Sequence, residues 1–328
     1  MGCSVARAPG ACDVRGLLIG LGVLLAGLAL CLTGDGYRAY LLGLVGVTAL
    51  VGIGLNVLMG LTGQTSIGHV GFFAIGAYTT AILTKDGGAS FWLALPVAGA
   101  LAAVVGGALA LPALRLSGPY LAMITLAFAF VIEHGAIEWR ALTGGANGIM
   151  GIPPVSVAGA ALDARALAAA IAVITAVGVG LFWLMSRSGW GYAMRAVRDA
   201  ETAAAGLGLQ TIAIRWAAFV VSAAYAGVAG GLFSPLTGFV SPEAFPLITS
   251  IIFVLVVMAG GQGTVSGPLV GAAIVVLLPE MLSSLAEYRL LFFGALLFAV
   301  LLIAPRGVVG ALARRIGGAA PTLAPARI

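Results

Sequence analysis

The chain has 328 residues, of which 61% are hydrophobic and only 8% carry a charge. A soluble domain has roughly a quarter of its residues charged, so this composition excludes an ordinary soluble fold. The formal net charge of +5 comes from basic residues scattered between apolar stretches, which argues against a nucleic-acid partner and for a protein oriented in a lipid bilayer.

Repeated apolar stretches of about 20 residues predict transmembrane helices, and long Gly-rich runs without strict alternation favour helices over a barrel. The 49 glycines fit helices that approach each other closely. We therefore expect an all-α polytopic membrane protein with about ten transmembrane helices. The predicted spans are 16–33, 39–60, 66–84, 91–111, 118–138, 166–185, 214–234, 245–260, 267–283 and 288–304.

The distribution of Lys and Arg predicts the orientation of the chain. With the N-terminus in the cytoplasm, 11 of the 16 basic residues lie inside and 5 lie outside. Residues 1–15 are then a cytoplasmic N-terminal segment, 16–305 form a transmembrane domain, and 306–328 form a cytoplasmic tail. Residues 139–165 and 235–246 are predicted as two loops on the outer side.

Residues 186–215, SRSGWGYAMRAVRDAETAAAGLGLQTIAIR, are the longest polar interruption of the chain. The Ala-rich stretch 200–205 predicts a short helix, and Gly206 and Gly208 predict its end. Such a helix, lying along the membrane face with its charges outward, is suited to docking in a groove of a partner. The alternative interpretation is a solvated amphipathic connection.

Polar residues also interrupt the stretch 60–84, where Gln64, Thr65, Ser66 and His69 lie among five glycines. Polar groups within a membrane tend to face a bundle interior or water, so this stretch predicts a cavity-lining or gating element. The alternative is helix packing through small residues and hydroxyl groups.

Glu133 lies inside the predicted span 118–138, next to His134. A carboxylate in lipid is costly, which favours contact with a solute amine or with a partner in the bundle. The alternative is solvation near the outer interface. Gln64, Ser66, His69 and Glu133 are thus the possible residues of a translocation path.

The sequence has no catalytic or cofactor motif. Lys85 is the only lysine, which excludes a GxxxxGK[ST] phosphate-binding loop, and no GxSxG nucleophile motif is present. His69 and His134 are the only histidines, and the three cysteines have no metal-ligand spacing. We expect a protein without enzymatic activity, cofactor or metal.

The polar stretches, taken together, resemble the permease subunits of branched-chain amino-acid ABC importers, specifically the LivM-type subunit. The resemblance covers most of the chain beyond about residue 40, in the order of the family. Its segments are GLTGQTSIGHVGFFAIGAYTTAIL at 60–83, LPALRLSGPYLAMITLAFAF at 111–130, LTGGANGIMGIPP at 142–154, GYAMRAVRDAETAAAGLGL at 191–209, GFVSPEAF at 238–245, VMAGGQGTVSGPLVGA at 257–272 and PRGVVG at 305–310.

This resemblance implies a type II importer-like permease fold in a bacterial inner membrane. It implies a homologous second permease (LivH-like), two ATP-binding subunits on the cytoplasmic side and an external solute-binding protein. It also implies that 191–209 is the loop that docks on an ATPase subunit. The residues that match this coupling pattern are Arg195, Arg198, Asp199, Glu201, Gly206 and Gly208.

We therefore expect a permease subunit that carries branched-chain, hydrophobic amino acids, with ATP hydrolysed by separate subunits. Urea and other amide permeases share much of the pattern, which makes them the alternative within the family. A stand-alone secondary transporter driven by an ion gradient is the alternative from another class. Glu133 is its only clear candidate for ion coupling.

Overall fold

The structure is a computed structural model that describes residues 36–281 apart from Arg115, Ser117 and Ala158. A few isolated positions beyond this range, among them Gly307, are also described. The predicted terminal segments 1–15 and 306–328 and the predicted spans 16–33 and 288–304 otherwise lie outside the described residues.

Apolar helices make up most of the described chain. The first, α1 (Gly36–Leu55), continues into a π-helical turn, Asn56–Leu61. The others are α2 (His69–Lys85), α3 (Phe91–Ala113), α4 (Pro119–Glu138), α5 (Arg140–Thr143), α6 (Ala164–Arg187), α7 (Gly189–Asp199), α8 (Glu201–Gly206), α9 (Thr211–Thr237), α10 (Leu247–Gly260) and α11 (Gly267–Met281).

Each predicted span between residues 39 and 281 contains one of these helices. Within the described part of the chain, six helical stretches are long and apolar enough to cross a membrane: Gly36–Leu61, Phe91–Ala113, Tyr120–Glu138, Ala164–Arg187, Thr211–Thr237 and Pro242–Gly260. With 17 residues, α2 is shorter. At 1.5 Å per residue it reaches about 26 Å, less than the ~30 Å hydrocarbon core. The total of about ten spans stays a prediction.

Two short antiparallel β-ladders hold together loop segments of the described chain. β1 (Ile149–Met150) pairs with β4 (Phe239–Val240), and β2 (Ser156–Val157) pairs with β3 (Ala160–Ala161). The first ladder joins the connection between α5 and α6 to the connection between α9 and α10. The two loops that the sequence predicted on one side of the membrane are therefore bound to each other at one end of the bundle.

The helices run between two ends, which we call the 186–215 face and the opposite face; the latter carries β1 and β4. The exposed Trp and Tyr side chains of the described residues lie near these ends. They are Tyr37, Trp92 and Trp139 at the opposite face, and Tyr120, Trp190, Tyr192 and Trp216 at the 186–215 face. The aromatic belts typical of a protein that crosses a bilayer are formed by Tyr37, Trp92 and Trp139 at one end and by Tyr120 and Trp216 at the other. The chain is a multi-pass membrane protein.

The central helix of the bundle is α1. In its most apolar window 78% of the residues are buried, compared with 22% for α4. A helix that is apolar on all sides is expected in a protein interior, and α6, α9, α10 and α11 surround α1 accordingly. α9 also packs along α2 and α3, which places it between α1 and the periphery.

Glycines bring the backbones of α2 and α9 into contact. A Cβ atom at Gly230 would overlap the carbonyl oxygen of Phe73, and one at Gly76 would overlap the carbonyl oxygen of Gly227. In lipid there is no hydrophobic drive between helices, so such close van der Waals packing is what holds them together. The two helices form a rigid pair at this crossing.

We expect Gly230→Ala to destabilise the folded protein by about 1–3 kcal/mol or more, because the added methyl group must displace the backbone of α2. Thermal unfolding of the detergent-purified protein measures the effect. Gly180→Ala in α6 is the matched control, since no described atom lies within 4 Å of its Cβ position. Equal unfolding temperatures for Gly230→Ala and the wild type would contradict the tight crossing.

Candidate functional site

At the 186–215 face, α1 ends in an irregular segment. The π-helical turn is followed by the non-helical residues 62–68 before α2 begins. Irregular backbone at membrane depth must find its hydrogen-bond partners in neighbouring protein. We call residues 56–68 the first break, and residues 261–266, between α10 and α11, the second break.

The side chain of Asn56 joins the two breaks. Its Oδ1 accepts a hydrogen bond from the backbone N–H of Gly263 at 2.7 Å, and its Nδ2 donates to the carbonyl oxygen of Thr264 at 2.8 Å. Asn56 is fully buried. The backbones also touch here, because a Cβ atom at Gly60 would lie 2.5 Å from the nitrogen of Gly263. The two breaks therefore form one packed unit.

Arg198 of α7 reaches the first break from the polar segment. Its Nη1 donates to the carbonyl oxygen of Gly60 at 2.6 Å, and its Nε donates to Oδ1 of Asp199 at 2.8 Å. The aliphatic part of Arg198 covers Gly63, whose φ of 70° and lack of a side chain permit the contact. The sequence predicted outward charges; the structure turns Arg198 toward the bundle and leaves Asp199 largely exposed.

Other charged residues of the segment also bond within the chain. Nη2 of Arg195 donates to the carbonyl oxygen of Ser186 at 2.7 Å, and its guanidinium lies 4.9 Å from the ring centroid of Tyr192. Nη2 of Arg215 donates to Oε2 of Glu201 at 2.6 Å. These contacts hold α7 against the end of α6 and α8 against the start of α9.

The helix predicted at 200–205 is present as α8, the second of two short helices, which are joined at Ala200. It ends at the predicted glycines: Gly206 is its last residue, and Gly208 has a φ of 85°. The exposed face of α7–α8 carries the large side chains of Trp190, Tyr192 and Leu207. This face is therefore more apolar than the sequence predicted.

Ser66 and His69 belong to one buried chain of hydrogen bonds. Oγ of Ser66 lies 2.9 Å from Nδ1 of His69, Nε2 of His69 lies 2.7 Å from Oγ of Ser222, and that hydroxyl donates to the carbonyl oxygen of Gly54 at 2.6 Å. Because the Ser222 proton goes to Gly54, Nε2 carries the hydrogen that bonds Ser222. Nδ1 then accepts from Ser66, so a neutral imidazole satisfies all three bonds.

Gln64 lies in the same break. Its Nε2 donates to Oγ1 of Thr62 at 2.9 Å, while its buried Oε1 has no partner among the described residues. The structure thus brings Gln64, Ser66 and His69 together, with all three buried inside the chain. Packing, the alternative interpretation, accounts for the contacts of Ser66 and His69, and their place in a translocation path stays a prediction.

Glu133 lies apart from this cluster, half-buried on α4. It forms no hydrogen bond or ion pair with any residue that the structure describes. Nδ1 of the exposed His134 lies 3.1 Å from the carbonyl oxygen of Phe130, within the same helix. Within residues 36–281, as described, no group of three or more His, Cys, Asp and Glu side chains is placed to hold a metal ion.

The exposed positions of α4 follow one another at helical spacing, and we call them the α4 stripe. They are Tyr120, Met123, Ala127, Phe130, Val131, His134, Gly135 and Glu138. The exposed positions in the apolar part of α6 are Val173, Val177, Leu181 and Leu184. The α4 stripe therefore differs from an ordinary lipid-facing surface, because it includes an imidazole and a carboxylate.

Sequence analysis did not single out Asn56 or Ser222. Asn56 is the only asparagine in the apolar run 36–61, and a lone amide in a predicted span is a signal for a functional contact. The dipeptide Gly-Gln occurs at 63–64 and again at 261–262, which marks the two breaks as related. Ser222 has no such signal, because serines in helices commonly bond their own backbone.

Broken helices that meet a pair of short polar helices at one end of an apolar bundle define the class, a multi-pass membrane protein. A family model described as a branched-chain amino acid transport system permease component matches residues 37–301. The chain belongs to this family. Its members are transport permeases and not catalytic enzymes.

The chain is similar to two groups of permeases, and its identity to the first group is higher. The chain is 34% identical over 284 residues to the high-affinity branched-chain amino acid transport system permease protein LivM of Escherichia coli, which covers 79% of this chain and 67% of that protein. It is 28% identical over 283 residues to the LivH permease of Salmonella typhimurium, with 80% and 91% covered. No solved structure matches significantly. The predicted LivM-type resemblance is confirmed.

Ser222→Ala should destabilise the protein by about 1–3 kcal/mol, because the N–H of His69 is then buried without a partner. The measurement is thermal unfolding in detergent. Thr79→Val is the control, since it also removes a hydroxyl, but one that donates at 2.6 Å to Ile75 of its own helix. A Ser222→Ala protein as stable as Thr79→Val would argue against the buried chain.

Proposed function

We propose that the chain is the permease subunit of an ATP-driven importer for branched-chain, hydrophobic amino acids. Family membership supports the transport role. The observation that carries the ATP-driven mechanism is the pair α7–α8. Most of its charged side chains bond within the chain, while Trp190, Tyr192 and Leu207 are exposed. A rigid helix pair with an exposed apolar face is suited to a protein partner.

The 186–215 face is the cytoplasmic face in this proposal, since it carries the excess of basic residues. The proposed location is the bacterial inner membrane. Residues 1–15 and 306–328 are assigned to the cytoplasm and 16–305 to the transmembrane domain. The opposite face then points outward, where the ladder of β1 with β4 presents the exposed Met150 and Phe239 to an external solute-binding protein.

The exposed face of α7–α8 is the proposed docking surface for one of two ATP-binding subunits, which hydrolyse ATP. Leu207 is 84% exposed, between the glycines Gly206 and Gly208 that end α8. Arg195 and Glu201 fix the positions of the two helices, as their bonds to Ser186 and Arg215 indicate. Asp199 has the most exposed side chain among the four residues of the two ion pairs, at 65%.

The α4 stripe is the proposed contact with a homologous, LivH-like second permease, and the translocation path runs along it. Polar residues within a membrane face protein or water, which the exposed His134 fits. Glu133, near the outer end, is positioned to meet the ammonium group of an amino acid. The first break adjoins this wall, since the N–H of Ile67 bonds Oγ1 of Thr125 at 3.1 Å. Gln64, Ser66 and His69 support the wall from within.

Transport in this proposal is alternating access without chemistry in this chain. ATP binding moves the docked helices α7–α8, and the path exposes its site to the other side of the membrane. A nucleotide shifts such an equilibrium only through different affinities for the two states. A nearly complete switch requires about 5.5 kcal/mol of differential binding.

Purification of the tagged chain from its native membrane in mild detergent tests the assembly. We expect two ATPase subunits and a second permease to co-purify, and the complex in proteoliposomes to take up leucine or valine only with ATP. Uptake of urea or short amides in place of leucine would identify the amide alternative. Uptake by this chain alone, driven by an ion gradient, would refute the proposed function in favour of a secondary transporter.

Cysteine cross-linking tests the role of the α4 stripe. In a background without Cys3, Cys12 and Cys31, we expect Val131→Cys to cross-link to the second permease, because Val131 lies in the middle of the stripe. Val177→Cys on α6 is the control, since its side chain is similarly exposed but lies among aliphatic residues. Equal cross-linking at both positions, or cross-linking only at 177, would exclude α4 as the interface.

A further inference from the structure

Arg198 connects the polar helix pair to the broken end of α1. The residues that it joins, Arg198 and Gly60, are separated by 138 positions in the sequence. Gly60 lies in the π-helical turn, where the last carbonyl groups of a helix lack their usual partners. A guanidinium is a favourable partner there, because it donates a charge-assisted hydrogen bond and lies at the negative end of the helix dipole.

The contact also has a steric part. A Cβ atom at Gly63 would lie 2.8 Å from Cγ of Arg198, so the side chain of Arg198 lies directly on the non-helical backbone. The Nε atom of the guanidinium also donates a hydrogen bond to Oδ1 of Asp199, the last residue of α7, at 2.8 Å. The guanidinium of Arg198 is therefore bonded both to the first break and to α7, and it can transmit a displacement of α7 to the first break.

The second break is bonded to the first. Asn56 bonds Gly263 and Thr264, and the backbones of Gly60 and Gly263 are in contact. Gly307, one of the isolated described positions, adds a third segment, because its Cβ position would overlap the backbone of Gly261. The ends of α1 and α10 and the starts of α2 and α11 thus meet at one junction, with Arg198 at its edge.

We infer that Arg198 is a positioning residue that transmits movement of the helices α7–α8 to this junction, and that it does not serve mainly to bind the ATPase. The inference rests on the proposed function and adds to it the route from the docked helices to the path. A displacement of α7 pulls on the carbonyl group of Gly60 and shifts both breaks together. Without the guanidinium, α7–α8 still dock, but the junction no longer follows them.

The test uses the whole complex reconstituted in proteoliposomes, with ATP hydrolysis and amino-acid uptake measured on the same preparation. For Arg198→Ala we expect the ATPase subunits to co-purify as in the wild type and ATP hydrolysis to persist. Uptake per ATP hydrolysed should fall about tenfold, within the range usual for loss of coupling between sites. Arg198→Lys should recover part of the ratio, because an ammonium can still donate to Gly60.

Arg187→Ala is the matched control. It removes the same charge from the same face, but the Arg187 guanidinium lies over the ring of Trp183, away from the junction. Its uptake per ATP should equal that of the wild type. A purely structural role of Arg198 would lower the yield and the unfolding temperature and leave this ratio unchanged.

Three results would overturn the inference. Loss of the ATPase subunits from the Arg198→Ala complex would make Arg198 a docking residue, and an unchanged uptake per ATP would make the contact irrelevant to coupling. If the complex with Arg198→Ala does not assemble, Arg198→Lys and Arg198→Gln are measured instead. A wild-type ratio of uptake to ATP hydrolysed in both variants would contradict the inference. A wild-type preparation without ATPase subunits would instead refute the proposed function itself.

Discussion

The fold depends on satisfying the polar backbone of the first break in a bundle where water is scarce. Each unsatisfied buried group costs about 1–3 kcal/mol, and a break in a spanning helix frees several of them. Side chains from other helices supply the partners: Thr125 bonds the N–H of Ile67, Ser250 bonds the N–H of Val70, and Arg198 bonds Gly60. This requirement brings α4, α7 and α10 to one place.

Glycine contacts make the neighbouring crossing of α2 and α9 rigid. Where α2 and α9 cross, the backbones touch, and neither can approach the other without a clash. A close-packed interior moves as rigid pieces rather than by compression. We therefore expect movement within the bundle at the places with irregular backbone, and the two breaks are such places. The buried chain from Ser66 through His69 to Ser222 connects the first break to the rigid pair.

The sequence predicted the helices well, because apolar runs of spanning length are a property of the chain itself. The predicted span 91–111 and the helix Phe91–Ala113, for example, begin at the same residue. It did not predict the partners of the polar residues. His69 bonds a serine 153 positions away, and nothing in either local sequence marks the other. Polarity in a span indicates that a partner exists and does not say which one.

The direction of the charges in 186–215 shows the same limit. An isolated amphipathic helix is expected to turn its charged side chains to solvent; Asp199 does so, whereas the guanidinium of Arg198 bonds Gly60. The reason is a contact that only the fold creates. The π-helical end of α1 has a carbonyl oxygen within reach of Arg198, and an arginine can donate one hydrogen bond to it and a second to Asp199. Since Arg195 and Glu201 are likewise bonded within the chain, most of the charge in this segment fixes its shape. In the proposed assembly, the surface of α7–α8 offers a partner Trp190, Tyr192 and Leu207 beside the exposed carboxylate of Asp199, so recognition there would rest on shape and buried area more than on long-range electrostatics.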